Sequence, residues 1–585
     1  MQTFKRLLSY LKYTKKMFGI GIICLFLYTA ISIIIPMIIQ SIIDEVIIPS
    51  KKTMVIDSDQ LLHLLIIFGV LAFLSVILNY YSFVYRLKTA NEVTRILRNE
   101  LYHHIQNLPI SYFDRLPAGK IVARITSDTE SLRQQFYSNV LGSLMVHTFT
   151  ILGTLITIFY FSSQLGLLLL ATIPLIILWN IIYSRYALRY NRQERELNSV
   201  INAKINENIH GIEIIQSFGQ EEKMKEEFEQ STEQWLDVMT RYVRLDAFFQ
   251  YSLSQTVTRG VIFFTIVLFS HQFLSGTLSI SAGMLYLYVD YITRIFEPLT
   301  QIINQTTLLQ QSIAAGERVF EVLDIKPDIE LEQDIVVTQG DVIFDQVNFG
   351  YDAGQTVLKD IHFHARPGET IAFVGHTGSG KTSMVNLLFR FYEPNSGTIS
   401  IDGQKISDYS KQSLREQMGI VLQDPYLFTG SIYSNITMGN ENISKEVAEN
   451  ALRTVGGGAL LDRTPGGIDG IVEKKGAKLS SGECQLISFA RALASNPKIL
   501  ILDEATSSVD TETEEVIQKA MKLLETGRTT FVIAHRLSTI YDADQILVLD
   551  RGRIVEHGRH QDLIQLDGLY AEMYRLQKQE ETALE

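Results

Sequence analysis

A chain of 585 residues is long enough for several domains, and a formal net charge of −12 argues against a nucleic-acid binder, which would carry a basic face. Hydrophobic residues make up 46% of it beside 20% charged ones, and mean hydropathy is positive, a balance high for a soluble protein that points to two unlike parts. The two cysteines, Cys24 in an apolar stretch and Cys484 far beyond it, do not suggest a structural disulfide, and a reducing compartment suits the second half.

The chain opens with a basic amphipathic segment, Lys5-Arg6-Leu7-Leu8-Ser9-Tyr10-Leu11-Lys12, followed by Lys15 and Lys16. It reads as a helix over residues 1–16 on the cytoplasmic surface, with the N-terminus inside by the positive-inside rule. The first apolar run starts near Met17, is long enough to span, and has no small-residue cleavage site after it, so no cleavable signal peptide is expected. Apolar stretches near the ~20 residues a bilayer needs recur at 17–39, 61–84, 140–161, 165–187, 248–274 and 280–305, the last two interrupted by polar residues. Short connections near 40–60, 162–164 and 275–279 are expected outside. Long charged ones near 85–139 and 188–247 are expected inside. Their pattern, as in Arg95-Ile96-Leu97-Arg98-Asn99-Glu100, predicts helices, which at ~1.5 Å per residue project tens of ångströms.

Charges at membrane depth face protein or water rather than lipid, because burial in hydrocarbon is costly. Arg259 lies in the fifth stretch, and Asp290, Arg294 and Glu297 lie within or just below the sixth; these four are candidates for a substrate pathway. Asp290 and Arg294, four apart on one helical face, can instead simply pair. His147 joins them as a possible cavity residue. Tyr286, Tyr288 and Tyr291 offer either aromatic surface for flat, amphipathic or cationic compounds or ordinary packing.

Between Leu323 and Gly340 the pattern breaks up around Asp324-Ile325-Lys326-Pro327-Asp328, which reads as a linker with a domain boundary near residue 335. Beyond it, Gly375-His376-Thr377-Gly378-Ser379-Gly380-Lys381-Thr382 matches the phosphate-binding pattern G-x-x-x-x-G-K-[ST]. Glu369–Val374 before it reads as a buried strand, and Thr382–Phe389 after it as a helix. Glycines let backbone N–H groups turn in on a polyphosphate, and the helix points its positive end at the same anion. Lys381 then reaches the outer phosphates, and the Thr382 hydroxyl can hold Mg²⁺. Downstream, Ile499-Leu500-Ile501-Leu502 is a buried strand ending in Asp503 and Glu504, placed to hold Mg²⁺ and to polarise an attacking water.

This series resembles a half-transporter of the ABC exporter family, near the bacterial multidrug exporter subunits of heterodimeric type. The resemblance covers nearly the whole chain. It implies an α-helical six-span transmembrane domain followed by an α/β P-loop NTPase domain: residues 1–16 as an elbow helix, 17–320 as the membrane domain, 321–335 as linker and 336–585 as the nucleotide-binding domain. ATP and Mg²⁺ are the implied ligands. A second half-transporter, the bilayer and a hydrophobic substrate are the implied partners, in the cytoplasmic membrane with the nucleotide domain inside. Tyr351 matches the aromatic that stacks on adenine, and Gln423 the glutamine that joins the Mg²⁺ site to the membrane domain. Ser480, Ser481, Gly482 and Glu483 occupy the family signature, which contacts the γ-phosphate held by the opposite subunit. Glu473 matches a glutamate facing the coupling helices, Ser507-Ser508-Val509-Asp510 the loop at the dimer interface, and His535 the γ-phosphate sensor beside the catalytic Glu504. Leu108–Asp114 and Glu207–Ile212 resemble the segments at the two coupling helices.

The family signature is usually Leu-Ser-Gly-Gly-Gln. Here Ser481 stands for the first glycine and Glu483 for the glutamine. A Cβ at 481 hinders close backbone approach to phosphate, and a carboxylate at 483 repels it unless it faces solvent. In heterodimeric exporters the subunit that keeps the catalytic glutamate often carries the altered signature, so a heterodimer is expected ahead of a homodimer. The expected activity is ATP-driven export of hydrophobic or amphipathic compounds. A homodimeric lipid flippase is the alternative, and an ATP-gated membrane regulator the more distant one.

Overall fold

The computed structural model describes residues 2–54, 56–161, 163–249, 254–274, 281–328, 331–352, 354–473, 476–503, 511–533 and 540–584. The chain divides into two compact units. One comprises Met1–Asn107 with Pro117–Lys326, and the other Leu108–Leu116 with Pro327–Glu585.

The first unit is built of helices and their connecting turns, with no strand among its described residues. It opens with α1 (Gln2–Ser9), whose Leu7 is fully buried, a 3₁₀ turn over Tyr10–Thr14, and α2 (Lys15–Ser41). Thr14 leaves helical geometry at φ −120° and ψ 22°, between this turn and α2. A π-helical segment, Ile42–Ile47, leads into α3 (Ile48–Thr53). Next comes α4 (Ser58–Gln106), started by the Asp57 side chain, which accepts from the Gln60 N–H at 3.1 Å. The short α5 (Ile110–Arg115) belongs to the second unit. Then α6 (Ala118–Ala123) and α7 (Thr129–Ser131) alternate with π-helical segments and run into α8 (Leu141–Phe161). The unit closes with α9 (Ser163–His210), α10 (Ile212–Ser217), α11 (Glu221–Asp246), α12 (Ser254–Leu274) and α13 (Ala282–Leu323).

The apolar stretches at 17–39, 61–84, 140–161 and 165–187 lie in α2, α4, α8 and α9, except Val140, which ends the π-helical segment before α8. The described parts of the last two lie in α12 and α13, apart from the helical turn Ala247–Phe249. Among the described residues, Gln2–Ser50, Ser58–Gln106 and Ala118–Phe161 are long and apolar enough to cross a membrane, and Gln255–Ser270 is a shorter apolar stretch. At 49 residues, α4 runs for roughly 70 Å, so the helix continues from its apolar half straight into the charged connection. The same holds for α9. The core of this unit gathers Ile33, Ile158, Phe269, Leu287, Tyr288 and Tyr291. Tyr291 is fully buried and donates to the Ile33 carbonyl at 2.7 Å, which makes it a packing residue. The far end of α13 is held by charge: Arg318 forks onto the buried Asp128 at 2.5–3.2 Å, and Arg6 pairs with Asp324 at 2.5 Å.

The second unit is α/β. Its strands are β1 (Val342–Phe349), β2 (Leu358–Ala365), β3 (Thr370–Val374), β4 (Ser396–Ile401), β5 (Gln404–Lys405), β6 (Met418–Val421), β7 (Gly430–Ser431), β8 (Ile471–Val472), β9 (Ile499–Asp503), β10 (Thr529–Ile533), β11 (Gln545–Asp550) and β12 (Arg553–Gly558). Strands β2-β1-β4-β5 form an antiparallel sheet, and β12-β11-β3-β10-β9-β6 a second sheet whose central strands are parallel. Those central strands are apolar on both faces. Ile371 and Phe373 of β3 enter one hydrophobic cluster, Ala372 and Val374 the other. The helices that concern the site are α14 (Lys381–Leu388), α15 (Lys411–Glu416), α16 (Ile432–Thr437), α17 (Lys445–Thr454), α18 (Gly458–Arg463), α19 (Ser481–Ala494) and α20 (Thr511–Glu525). Two more, α21 (His560–Gln565) and α22 (Leu569–Leu584), end the chain's described part. Asp328, from the expected linker, receives the Lys411 ammonium at 2.8 Å.

Candidate functional site

Parallel register decides which residues share an edge. Phe373 of β3 lies level with Ile533 of β10, Ile533 with Asp503 of β9, and Leu502 of β9 with Val421 of β6. The loop 375–380, Asp503 and the segment that carries Gln423 therefore leave the sheet at one edge, the carboxyl ends of its strands. Ligands of open α/β sheets bind at that edge. Glu504 and His535 follow β9 and β10 in the chain but lie outside the described residues, as does Ser507–Asp510.

The loop after β3 needs its glycines. Gly378 and Gly380 sit at φ +82° and +112°, a region that favours glycine, and a Cβ on Gly380 would stand 2.6 Å from Leu358 Cδ2. Gly380 is the N-cap of α14 and supplies no side-chain cap, so the first N–H groups of the helix stay open toward the loop. Lys381 is buried, and its Nζ donates to the carbonyls of Gly375 at 2.5 Å and His376 at 3.3 Å. The Ser379 hydroxyl is buried without a hydrogen-bond partner among the described residues, while Thr382 is exposed. A cradle of open amides, an orphaned hydroxyl and a folded-back ammonium fits a polyphosphate. Thr382, Gln423 and Asp503 supply oxygen donors of the kind Mg²⁺ takes.

Tyr351 stands over the same helix. Its hydroxyl bonds Ser383 Oγ at 3.0 Å and accepts from Asn386 at 3.2 Å, and its ring meets Phe349 and Tyr392 edge-on at 4.8 and 4.9 Å. Tyr392 in turn donates to Asp114 of α5, while Arg115 pairs with Asp352 at 3.1 Å. Burial first, and the Asp114 bond second, hold the Tyr392 hydroxyl well above its ordinary range. The link from the Tyr351 cluster to α5 has no sequence signal, since Asp114 and Tyr392 are 278 positions apart.

The signature residues open α19. Ser480 is its N-cap and forms a capping box with Glu483: Glu483 Oε2 accepts from the Ser480 N–H at 2.9 Å, and Ser480 Oγ accepts from the Glu483 N–H at 3.3 Å. The other carboxylate oxygen pairs with Arg463 at the end of α18. The Glu483 side chain is only 16% exposed, so its charge turns into the protein rather than to solvent. Ser481 is exposed and Gly482 buried. The spacing S-x-x-E was a signal for the cap; nothing in the sequence marked Arg463. Burial first, and the Glu483 charge second, push the Cys484 thiol up, and both cysteines are free. Glu473 is exposed and pairs with Lys478 at 2.5 Å.

In the first unit, Asp290 and Arg294 do pair, at 2.5 Å, and Arg294 also donates to Ser32 at 3.0 Å. Arg259 is exposed beside Gln255, Glu297 is exposed, and His147 is half-buried. The turn from α9 to α11 carries a cluster of exposed apolar side chains, Ile209, Ile214 and Phe218.

Residues 18–298 match the family described as the ABC transporter transmembrane region, and residues 358–507 the one described as ABC transporter. A probable multidrug resistance ABC transporter ATP-binding/permease protein of Bacillus subtilis is 47% identical over 516 residues, 88% of this chain and 76% of its own length. The chain belongs to the ABC transporter family. A fatty acid ABC transporter ATP-binding/permease protein of Mycobacterium bovis is 37% identical over 482 residues, 82% of this chain and 75% of its own. The solved structure of a bacterial Atm1-family ABC exporter with ATP bound superposes with a TM-score of 0.78 at 26% identity, covering 95% of this chain and 98% of that one. This ABC transporter is thus a membrane protein of exporter fold, with membrane and ATP-hydrolysing domains fused in one chain. As a half-transporter it works as a dimer.

Proposed function

We propose that the chain is one half of an exporter in the cytoplasmic membrane, with its N-terminus and nucleotide domain in the cytoplasm, that uses ATP to move hydrophobic or amphipathic compounds outward. The observation that carries this reading is the meeting of the phosphate loop, Asp503 and the Gln423 segment at one edge of the six-stranded sheet. The amides of residues 376–380 hold the β- and γ-phosphates, and Lys381 exchanges its carbonyl partners for phosphate oxygens. Tyr351 stacks on adenine. Thr382, Gln423 and Asp503 would hold Mg²⁺, which would supply positive charge against the polyphosphate. Glu504 orients and deprotonates the attacking water, and His535 contacts the γ-phosphate. Ser480, Ser481, Gly482 and Glu483 face the nucleotide bound by the partner.

Coupling runs through α5, which Tyr392 ties to the Tyr351 cluster, and through the exposed apolar turn at Ile209, Ile214 and Phe218, which docks on the partner half-transporter. Arg259, Asp290, Arg294 and Glu297 mark the substrate path, with Asp290 and Arg294 engaged as a pair in the state described. The multidrug name of the Bacillus relative and the fatty-acid name of the mycobacterial one both agree with an apolar or amphipathic cargo.

Intact Asp503-Glu504 beside an altered signature supports a heterodimer, in which the productive site combines this chain's phosphate loop with the partner's signature. One observation favours a homodimer instead: Glu483 is neutralised within the chain, so the altered signature does not present a bare charge. ATPase activity of the chain purified alone, against the chain co-expressed with its genomic neighbour, separates the two. Negligible activity alone, restored by a co-purifying partner, is the expected result. Full activity alone overturns the heterodimer.

A further inference from the structure

We propose that Arg463 is a positioning residue for the signature: it neutralises Glu483, and so keeps the altered signature able to accept a γ-phosphate. The inference rests on the reading of residues 480–483 as phosphate-facing. Glutamine at position 483 would offer the capping box the same acceptor without a charge. Glutamate keeps the cap and adds a negative charge in the first turn of the helix that is to meet an anion. Ser480 and Glu483 already satisfy each other's N–H groups, so the amides of Ser481 and Gly482, which have no intrahelical acceptor, are what the terminus offers a phosphate. A carboxylate in that same turn opposes that offer unless its charge is balanced.

Arg463 supplies the balance. It ends α18, 20 positions before Glu483, and places Nη2 on Glu483 Oε1. The nearby acid Asp462 does not compete for it, being held by Arg453 at 3.1 Å. The Arg463 side chain is 60% exposed and the Glu483 side chain 16%. The arginine is therefore held at the surface by the carboxylate more than by packing, and its removal leaves a mostly buried, unpaired charge. The helix dipole favours that carboxylate as well, but it favours the incoming phosphate equally and cannot cancel the repulsion between them.

The experiment titrates ATP and ADP separately onto the full-length chain, purified with whatever half-transporter accompanies it, at low and high salt. Thermal midpoints are recorded for every variant. Arg463→Ala is expected to weaken ATP binding about tenfold, with the loss shrinking at high salt. ADP, which has no γ-phosphate, is expected to bind as before. Arg463→Lys retains most of the ATP affinity, and Glu483→Gln added to Arg463→Ala restores it. An unchanged ATP affinity in Arg463→Ala, an equal loss for ATP and ADP, or a failure of Glu483→Gln to restore binding each overturns the proposal. Ser481→Asp keeps the underlying reading separately testable. It adds a charge at an exposed first-turn position where the fold tolerates acids, so ATP affinity must fall if residues 480–483 face phosphate at all. No fall there means the signature reading itself has failed. A fall there beside an inert Arg463→Ala means that only the pairing has.

Discussion

Two helix N-termini of the nucleotide unit are expected to meet phosphate, and they are built in opposite ways. At α14 the N-cap is Gly380 in a left-handed conformation, no side chain caps the helix, and Lys381 folds back over the loop carbonyls. At α19 Ser480 and Glu483 close the terminus on each other, and Arg463 balances the charge this brings. The first terminus has no side-chain cap and is left open. The second is satisfied by its own chain and must accept a phosphate without losing its cap. The difference suits the unequal tasks proposed for them: α14 to hold the nucleotide, and α19 to contribute when another subunit brings one.

Substitutions that exchange these characters test the contrast. The largest effect is expected at Lys381, whose replacement by methionine keeps a long apolar stem but removes the only cation seen folded over the loop among the described residues. ATP hydrolysis by the full-length dimer should fall about a hundredfold or more, read in a steady-state assay. Gly380→Ser gives the open terminus a side chain of the kind α19 has. At φ +112°, with the new Cβ 2.6 Å from Leu358 Cδ2, it costs about 1–3 kcal/mol of backbone strain. An equilibrium titration should show weaker ATP binding, and unchanged binding would mean that the open geometry is unimportant. Ser480→Ala removes the cap at the other terminus and should destabilise the nucleotide unit by about 1 kcal/mol in denaturant unfolding.

A helix C-terminus gives the smallest effect. Glu525 ends α20, where a carboxylate meets the negative pole of the helix. Burial, with minor help from Asp542 and Asp544, pushes its carboxyl up to about 7 from an ordinary 4.5, against the pull of Lys522. Between those values the folded state holds a proton that the unfolded state has lost, so stability falls as pH rises through the window and stays lower above it. Glu525→Gln removes the titration. Its thermal midpoint should match the parent's pH profile near 4.5 and exceed it by a few degrees above 7. A constant difference across the range would contradict the assignment.

Gly375–Thr382 was legible because that motif encodes a backbone path, and a path is fixed by which positions are glycine. The strands around it were legible because both their faces are buried, which leaves an unbroken apolar run such as Ile499–Leu502. Long helices in the charged connections followed from periodicity, and α4 and α9 run through them. Contacts between residues distant in sequence were not legible. Arg463 on Glu483, Tyr392 on Asp114 and Arg318 on Asp128 depend on where separate elements pack, and no local pattern records that. Charge at 483 was read against solvent or phosphate, but S-x-x-E already marked a donor for it, the N–H of Ser480.

In the proposed mechanism this chain's own phosphate loop, with Asp503 ending β9 and Glu504 after it, turns over ATP to drive the transporter. Glu504→Gln in the full-length dimer, with ATP binding and ATP hydrolysis measured on the same preparation, tests it most directly. ATP should bind as tightly as to the parent, with hydrolysis lost. Hydrolysis that persists at the parental rate would contradict it.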